Sequence, residues 1–300
     1  MRFRVGGIMH LQSATPDVRL APYVRCFAQR ETVPGSATSC QAIIGSLEQI
    51  LSFDLGDRTL MRYPTGKAAF HARTYLMGSQ RSYAGQVCLS GHVLAFGIFF
   101  RPFATWQLFG IPPAELADAD GDASGVLGSW LAELWQKVGS AATFSERIRV
   151  VTEALLPFVP SARPLTPIMS TVRLLFPFDD TSRITRVARA SAMSVRSYER
   201  RFTVEIGMPP KKFARVARFA TAIDLRRRSN ASWLNVAHNV GYFDQMHMVK
   251  DFQSLGGDAP GRLVLPDSDF QPWSAGAALR GEDERGPLRS ERFETHAGLS

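Results

Sequence analysis

Arg196 and Arg200 stand four residues apart, so on a helix both guanidinium groups share one face. Tyr198 and Phe202 repeat that spacing and would take the buried face. The arginines then point outward, with Ser197 and Glu199 on their shoulders. An arginine fork can grip O6 and N7 of guanine, and a glutamate can accept from N4 of cytosine. These are the side chains of a major-groove reader. Arg201 falls nearer the core edge, where a phosphate suits it better than a base. A second cluster begins at Gln245, placed at a helix start. Met246 and Lys250 would face outward, with His247 and Val249 at the sides and Met248 and Phe252 inward. Gln can pair with adenine, and Met or Val can touch a thymine methyl. Taken alone, either cluster is explained nearly as well by an ordinary solvated helix face.

Each cluster needs a helix–turn–helix to position it. In the first, Ile184 to Ala190 reads as a short helix and Ala190 to Met193 as the turn. Ser194 is the N-cap of a helix that stops at Gly207. In the second, Ser232 caps a helix carrying Trp233, Leu234, Val236, Ala237 and Val240. Gly241 makes the turn, and Asp244 caps the reading helix. A long helix from Pro209 to about Arg228 joins the units. Phe213, Val216, Ala217, Ala220 and Ile223 follow its buried stripe. Lys211 and Lys212 could hold phosphate near its first turn, Arg215 and Arg218 decorate it, and Arg226 to Arg228 complement its dipole.

The charge follows the same map. Residues 164–265 hold 16 Lys and Arg against 8 Asp and Glu, which accounts for the whole net charge of +8. Such a basic segment is the electrostatic footprint expected for phosphate. Within it, residues 231–262 carry two basic and three acidic groups, so the first unit should supply most of the phosphate affinity.

Upstream, the chain reads as β-rich. Leu51, Phe53 and Leu55 alternate along one strand, and Leu94, Phe96, Ile98 and Phe100 along another, the pattern of half-buried strands in a sandwich or barrel. A short helix is expected after Pro102, ending at Gly110. Two amphipathic helices follow. One carries Leu127, Trp130, Leu131, Leu134, Trp135 and Val138. The other opens on a capping box, Thr143 with Glu146, and continues through Ile148, Val151, Leu155 and Phe158. This hairpin either packs on the β domain or forms a dimer contact. Pro157, Pro160, Pro164 and Pro167 mark a boundary. The expectation is an α+β chain. It has a β-rich (barrel or sandwich-like) sensor domain with helical hairpin over 1–160, an all-α double helix–turn–helix domain over 165–265, and a disordered tail over 266–300.

Enzymatic readings find little support. There is no G-x-S-x-G elbow and no clear Cys/His pair beyond Cys88 near His92, where a packed thiol is the simpler reading. Cys26, Cys40 and Cys88 are scattered and odd in number, and read as reduced thiols of a cytoplasmic protein. Residues 118–125 form an acidic loop that lacks the glutamate a calcium loop needs. His238 and His247 have no partner at ligand spacing, so no metal and no cofactor are expected. No apolar run is long enough to span a membrane, and the N-terminus has no signal-peptide core.

The C-terminal third resembles the arabinose-regulator (AraC) type of bacterial transcription factor. The runs that carry the resemblance are S-V-R-S-Y-E-R-R-F from Ser194 with G-M-P-P from Gly207, and N-V-A-H-N-V-G-Y-F-D-Q-M-H-M-V-K-D-F from Asn235 with G-D-A-P from Gly257. Met248 stands where an aromatic is usual, Lys250 where Arg is common, and Leu263-Val264 where an aromatic–Arg pair often ends the domain. The run G-I-F-F-R-P-F from Gly97, followed by L-F-G-I-P-P-A-E-L from Leu108, is weakly similar to sensor domains attached to such regulators. The resemblance implies seven helices and two reading helices in successive major grooves, about 10 bp apart. The implied contacts to double-stranded promoter DNA come from Ser194, Arg196, Ser197, Glu199, Arg200 and Arg201, with Lys211 and Lys212, and from Gln245, Met246, His247 and Lys250. RNA polymerase is the expected protein partner. A small-molecule effector and a homodimer stay open, as do an enzyme or thiol-based sensor fused to a DNA-binding domain and a regulator without effector.

Overall fold

A computed structural model of the chain describes residues 2–5, 9–175, 181–229 and 231–263. The expected tail over 266–300 lies outside the described residues, as does the side chain of Arg228.

The first half forms two antiparallel sheets. Their strands are β1 (Arg2–Val5), β2 (Met9–Ala14), β3 (Val24–Thr32), β4 (Ser39–Ile43), β5 (Gln49–Asp54), β6 (Leu60–Arg62), β7 (Ala68–Phe70), β8 (Thr74–Met77), β9 (Gly85–Leu89), β10 (Leu94–Phe100) and β11 (Asp120–Asp122). One sheet runs β1-β2-β3-β10-β5-β8-β11 and the other β4-β9-β6-β7. An isolated bridge joins Ser46 to Gln80. The sandwich alternative is therefore the one realised.

Strand β10 lies between β3 and β5, with Phe96 opposite both Gln29 and Phe53. Its expected stripe, Phe96, Ile98 and Phe100, packs with Leu51 and Phe53 into one core. The half-buried expectation needs correcting, because the opposite face is buried too. Ala95 and Phe99 enter a second core with Ile50, Tyr75 and Met77 and with Met61, Val87 and Leu89 of the small sheet. A layer lies on each side of the large sheet, and alternation in the sequence reveals only the more hydrophobic face. Burial of each such Phe stabilises by roughly 1.5–3 kcal/mol.

Helix α1 (Ala104–Phe109) follows β10 and ends at Gly110, as expected. Two single turns, α2 (Pro113–Leu116) and α3 (Ser124–Leu127), flank β11. The acidic segment is thus not all loop: Asp120–Asp122 pairs with Tyr75–Met77 at the sheet edge. Hairpin helices α4 (Trp130–Ser140) and α5 (Phe144–Leu155) cover the first core with Leu131, Leu134, Val138, Val151 and Leu155. Thr143 and Glu146 form the full capping box. Arg147 bolts the hairpin to the sheet, donating to the Gln29 side chain at 2.8 Å and to the Ala141 carbonyl at 2.8 Å. The outer faces carry the ion pairs Lys137–Glu133 and Arg149–Glu153. Packing on the β domain is the reading this arrangement supports.

The expectation of three reduced thiols also needs correcting. Cys40 and Cys88 are direct partners in the β4–β9 register and form a disulfide, while Cys26 is a buried thiol. They are 48 residues apart, so only strand pairing brings them together.

Helices α6 (Pro167–Leu175), α7 (Thr181–Ala190), α8 (Val195–Ile206), α9 (Pro210–Ser229), α10 (Trp233–Asn239) and α11 (Gln245–Gly256) complete the described fold. Against the seven helices implied, these six lie among the described residues of the C-terminal region. Their core joins Tyr198, Phe202, Phe213, Phe219, Met248 and Phe252, and it also takes in Ile44, Leu47 and Phe103 from the β-rich half. No helix is long and apolar enough to cross a membrane among the described residues.

Candidate nucleic-acid interface

Local chemistry starts each reading helix where the sequence places it. The Ser194 hydroxyl accepts from the Ser197 N–H at 3.2 Å, and the Ser232 hydroxyl from the Asn235 N–H at 3.2 Å. The Asp244 carboxylate accepts from the His247 N–H at 2.6 Å. Each cap satisfies an orphan donor of the first turn and is worth about 1 kcal/mol. Between α7 and α8, Ala192 takes a left-handed conformation with φ 53°.

On α8, Tyr198 and Phe202 are fully buried, which leaves Arg196 and Arg200 exposed and Ser197 and Glu199 half-buried beside them. Arg201 is exposed and pairs with Glu205 at 3.2 Å. On α11, Met248 and Phe252 are buried; Gln245, Met246 and Lys250 are exposed, and His247 is half-buried with its ring edge against Tyr242. The sequence-derived residues therefore fall on one open face of each helix. Phe243 escaped the sequence reading. It is 91% exposed, immediately before the Asp244 cap. Its signal was a second aromatic beside Tyr242, since only one of the two can enter the core.

The basic linker helix divides its charges. Lys211 is exposed. Lys212 is half-buried, and burial, followed by the neighbouring Arg215, holds its ammonium below the usual lysine range. Arg215 and Arg218 do not merely decorate α9. Arg215 donates twice to the Asp251 carboxylate, at 2.9 and 2.6 Å, and Asp251 is 1% exposed. Arg218 is buried, with its guanidinium 5.1 Å from the centre of the Tyr242 ring. Burial and the nearby Asp251 carboxylate push the Tyr242 phenol well up. These two arginines moor the second unit to the linker.

Both reading helices end against the β-rich half. Each stops at a glycine in the left-handed conformation, Gly207 at φ +86° and Gly257 at φ +85°. A Cβ on Gly207 would lie 2.8 Å from the Cβ of Ala117, and one on Gly257 would lie 2.8 Å from the Tyr83 ring. Only glycine satisfies both the backbone and the approach. Arg81, paired with Asp118 at 2.6 Å, donates to the Gly207 carbonyl at 3.3 Å. The Gly45 N–H donates to the Leu255 carbonyl at 2.7 Å and the Tyr83 N–H to that of Ser254 at 3.2 Å.

Beside this contact lies a cavity of about 210 Å³, lined by Ile43, Met61, Tyr63, Met77, Gln80 and Asp120 among others. Asp120 accepts from Tyr63 Oη at 3.3 Å, and its carboxylate meets His71 Nε2 at 3.0 Å. His71 in turn meets Thr59, whose hydroxyl donates to the buried Asp54. Burial and the Asp120 charge raise the Tyr63 phenol. The Cys88–His92 pairing considered from sequence is not formed as a reactive site: Cys88 is in the disulfide and exposed His92 sits 3.5 Å from Glu31.

Residues 187–264 match the family model of a helix-turn-helix domain. Residues 12–122 match that of a domain of unknown function, DUF6597. No curated protein matches the chain. Among solved structures, ToxT from Vibrio cholerae is similar at 9% identity and a TM-score of 0.44, covering 84% of this chain and 94% of that one. The unsaturated-fatty-acid-bound form of ToxT gives 10% identity and a TM-score of 0.42, covering 86% and 95%. At those values the likeness carries no functional argument. Residues 187–264 are thus a helix-turn-helix domain, and a separate N-terminal domain precedes it.

Proposed function

We propose that this protein is a transcriptional regulator that reads duplex promoter DNA through two unequal helices and answers a small molecule held in its β-rich half. The observation that carries the reading is the paired open faces of α8 and α11, each opposite a buried stripe, Tyr198 and Phe202 on α8 and Met248 and Phe252 on α11. Arg196 and Arg200, with Ser197 and Glu199, read bases. Ser194, Arg201 and Lys211 hold phosphates. Gln245, Met246, His247 and Lys250 read the neighbouring groove, and Phe243 adds an apolar contact beside them. In this reading residues 1–160 are the sensor and 165–265 the reader. The protein acts in the cytoplasm with RNA polymerase as its partner, as a monomer or a homodimer.

The effector would occupy the 210 Å³ cavity, because its walls continue into the segments that hold the ends of α8 and α11. That volume corresponds to about seven water volumes, so the molecule is compact. The carboxylates of Asp118 and Asp120 in the wall disfavour an anionic effector and favour a neutral or cationic one with an apolar body. A larger cleft of about 720 Å³, lined by Gln29, Glu31 and Arg147, contains none of the residues that touch the reading helices.

The test is enrichment of a duplex from a random-sequence pool, followed by mobility shift with Arg200→Glu. Enrichment of one motif, with binding lost in the variant while its circular dichroism is unchanged, is the expected result. Unchanged binding by the variant would remove α8 from the interface.

A further inference from the structure

The Cys40–Cys88 bond lies at one end of a short lever. Strand β4 is an edge strand of the small sheet and pairs there with β9. Their register runs from Ser39–Leu89 through Cys40–Cys88 to Ile43–Gly85, and Ala84 N–H then donates to the Ile43 carbonyl. Immediately beyond that end, both chains grip α11: Gly45 on the Leu255 carbonyl and Tyr83 on the Ser254 carbonyl. Ile44 and Leu47 continue into the core of the helical domain. On each chain four residues thus separate the disulfide from the contact with the second reading helix. Cys40 is exposed, whereas Cys88 is 3% exposed.

A protein that works on chromosomal DNA meets a reducing thiol pool, and disulfides formed there are characteristically transient and redox-sensing. We infer that Cys40 and Cys88 are a reversible thiol–disulfide switch, exchanging with small thiols and disulfides of the glutathione class, that sets how firmly β4 and β9 hold the end of α11. In reduction, a thiolate attacks the Cys40 sulfur and the S–S bond breaks. Cys88 leaves as a thiolate and takes a proton. A second thiol then resolves the mixed disulfide at Cys40 and departs as the oxidised small-molecule disulfide. The protein gains two electrons and two protons, and the two small thiols lose them. Oxidation by the small-molecule disulfide is the reverse.

Oxidised, the edge strand is fixed by both its ladder and a covalent link, and α11 is held in place before DNA arrives. Reduced, β4 keeps one five-residue ladder, and the end of α11 must be ordered on binding, which weakens affinity. The switch rests on the DNA-binding reading for its reducing surroundings and for its last readout, whereas the alkylation and exchange measurements stand without it.

The experiment uses the full chain equilibrated in glutathione buffers from fully reduced to fully oxidised. Thiol alkylation with mass spectrometry should show Cys40 and Cys88 interconverting reversibly. Amide hydrogen exchange over 43–46, 79–84 and 252–257 should accelerate on reduction. On a duplex enriched by the oxidised chain from a random pool, reduction should weaken binding about fivefold or more. Cys40→Ser, changed at the exposed partner, should behave as the reduced chain in either buffer. Thiols that never pair, or a pair that interconverts with unchanged exchange and unchanged affinity, would overturn the switch. If no duplex is enriched, the regulator reading fails, and the exchange measurement still decides the switch.

Discussion

The two helix–turn–helix units share a plan but are held differently. The first packs through Tyr198 and Phe202 against Phe213, at the start of the linker helix, and its outward arginines are open. The second also packs on that helix, Phe252 against Phe219, but adds polar ties, Arg215 on Asp251 and Arg218 over Tyr242. A basic helix between two DNA-reading units invites the idea that its charges all face phosphate. Instead, part of that charge is internal structure. Net charge points to a domain, but burial decides which of its cations are available to a ligand.

The mooring of the second unit should be the most sensitive part of this contrast. Removing Arg215 leaves the Asp251 carboxylate buried beside a vacancy, which is costly for a charge stripped of its partner. Because the guanidinium is 34% exposed, we expect Arg215→Ala to lose on the order of 2–3 kcal/mol, below the fully buried limit. Chemical denaturation reads it directly. A loss near zero would mean that water or another cation replaces the arginine.

The two adjacent lysines sharpen the contrast next. Lys211→Met should weaken DNA binding and lower the salt slope by about one counterion, whereas Lys212→Met should leave that slope unchanged. The Lys212 ammonium is depressed from its ordinary value of 10.5 by burial and then by Arg215, despite the opposing pull of Asp251 and Asp118. Charged in both states, such a lysine disfavours the fold, and the penalty fades as pH rises through its folded pKa towards 10.5. Lys212→Met should therefore raise the melting temperature at neutral pH, with the gain shrinking in alkali. A gain that grows with pH would contradict the assignment.

The smallest effect belongs to the first turn. Ala192 sits at φ 53°, where a side chain is disfavoured, so Ala192→Gly should stabilise by about 0.5–1 kcal/mol. A loss on that substitution would mean that the alanine methyl packs more favourably than its backbone is strained.

What was legible in the sequence was local. Ser194, Ser232, Asp244 and the Thr143–Glu146 box announce helix starts because capping is chemistry between residues three apart. The stripe of Phe96, Ile98 and Phe100 likewise follows from strand periodicity. What stayed hidden was non-local. Ala95 and Phe99 are buried because a second sheet lies over them, and Cys40 meets Cys88 because of a strand register. Arg215 and Arg218 face inward because Asp251 and Tyr242 arrive from another helix. Gly207 was readable as a helix stop, but neither it nor Gly257 as a docking point for Ala117 and Tyr83.

The unequal division of DNA reading between the units is best tested by one measurement. On a single enriched duplex, affinity is measured over a range of salt for Arg196→Ala/Arg200→Ala and for Gln245→Ala/Lys250→Ala. The greater loss, about 1–3 kcal/mol per arginine that forks onto a base, is expected for the arginine pair. A greater loss of affinity from the Gln245 and Lys250 pair would reverse the order of the two units and contradict that expectation.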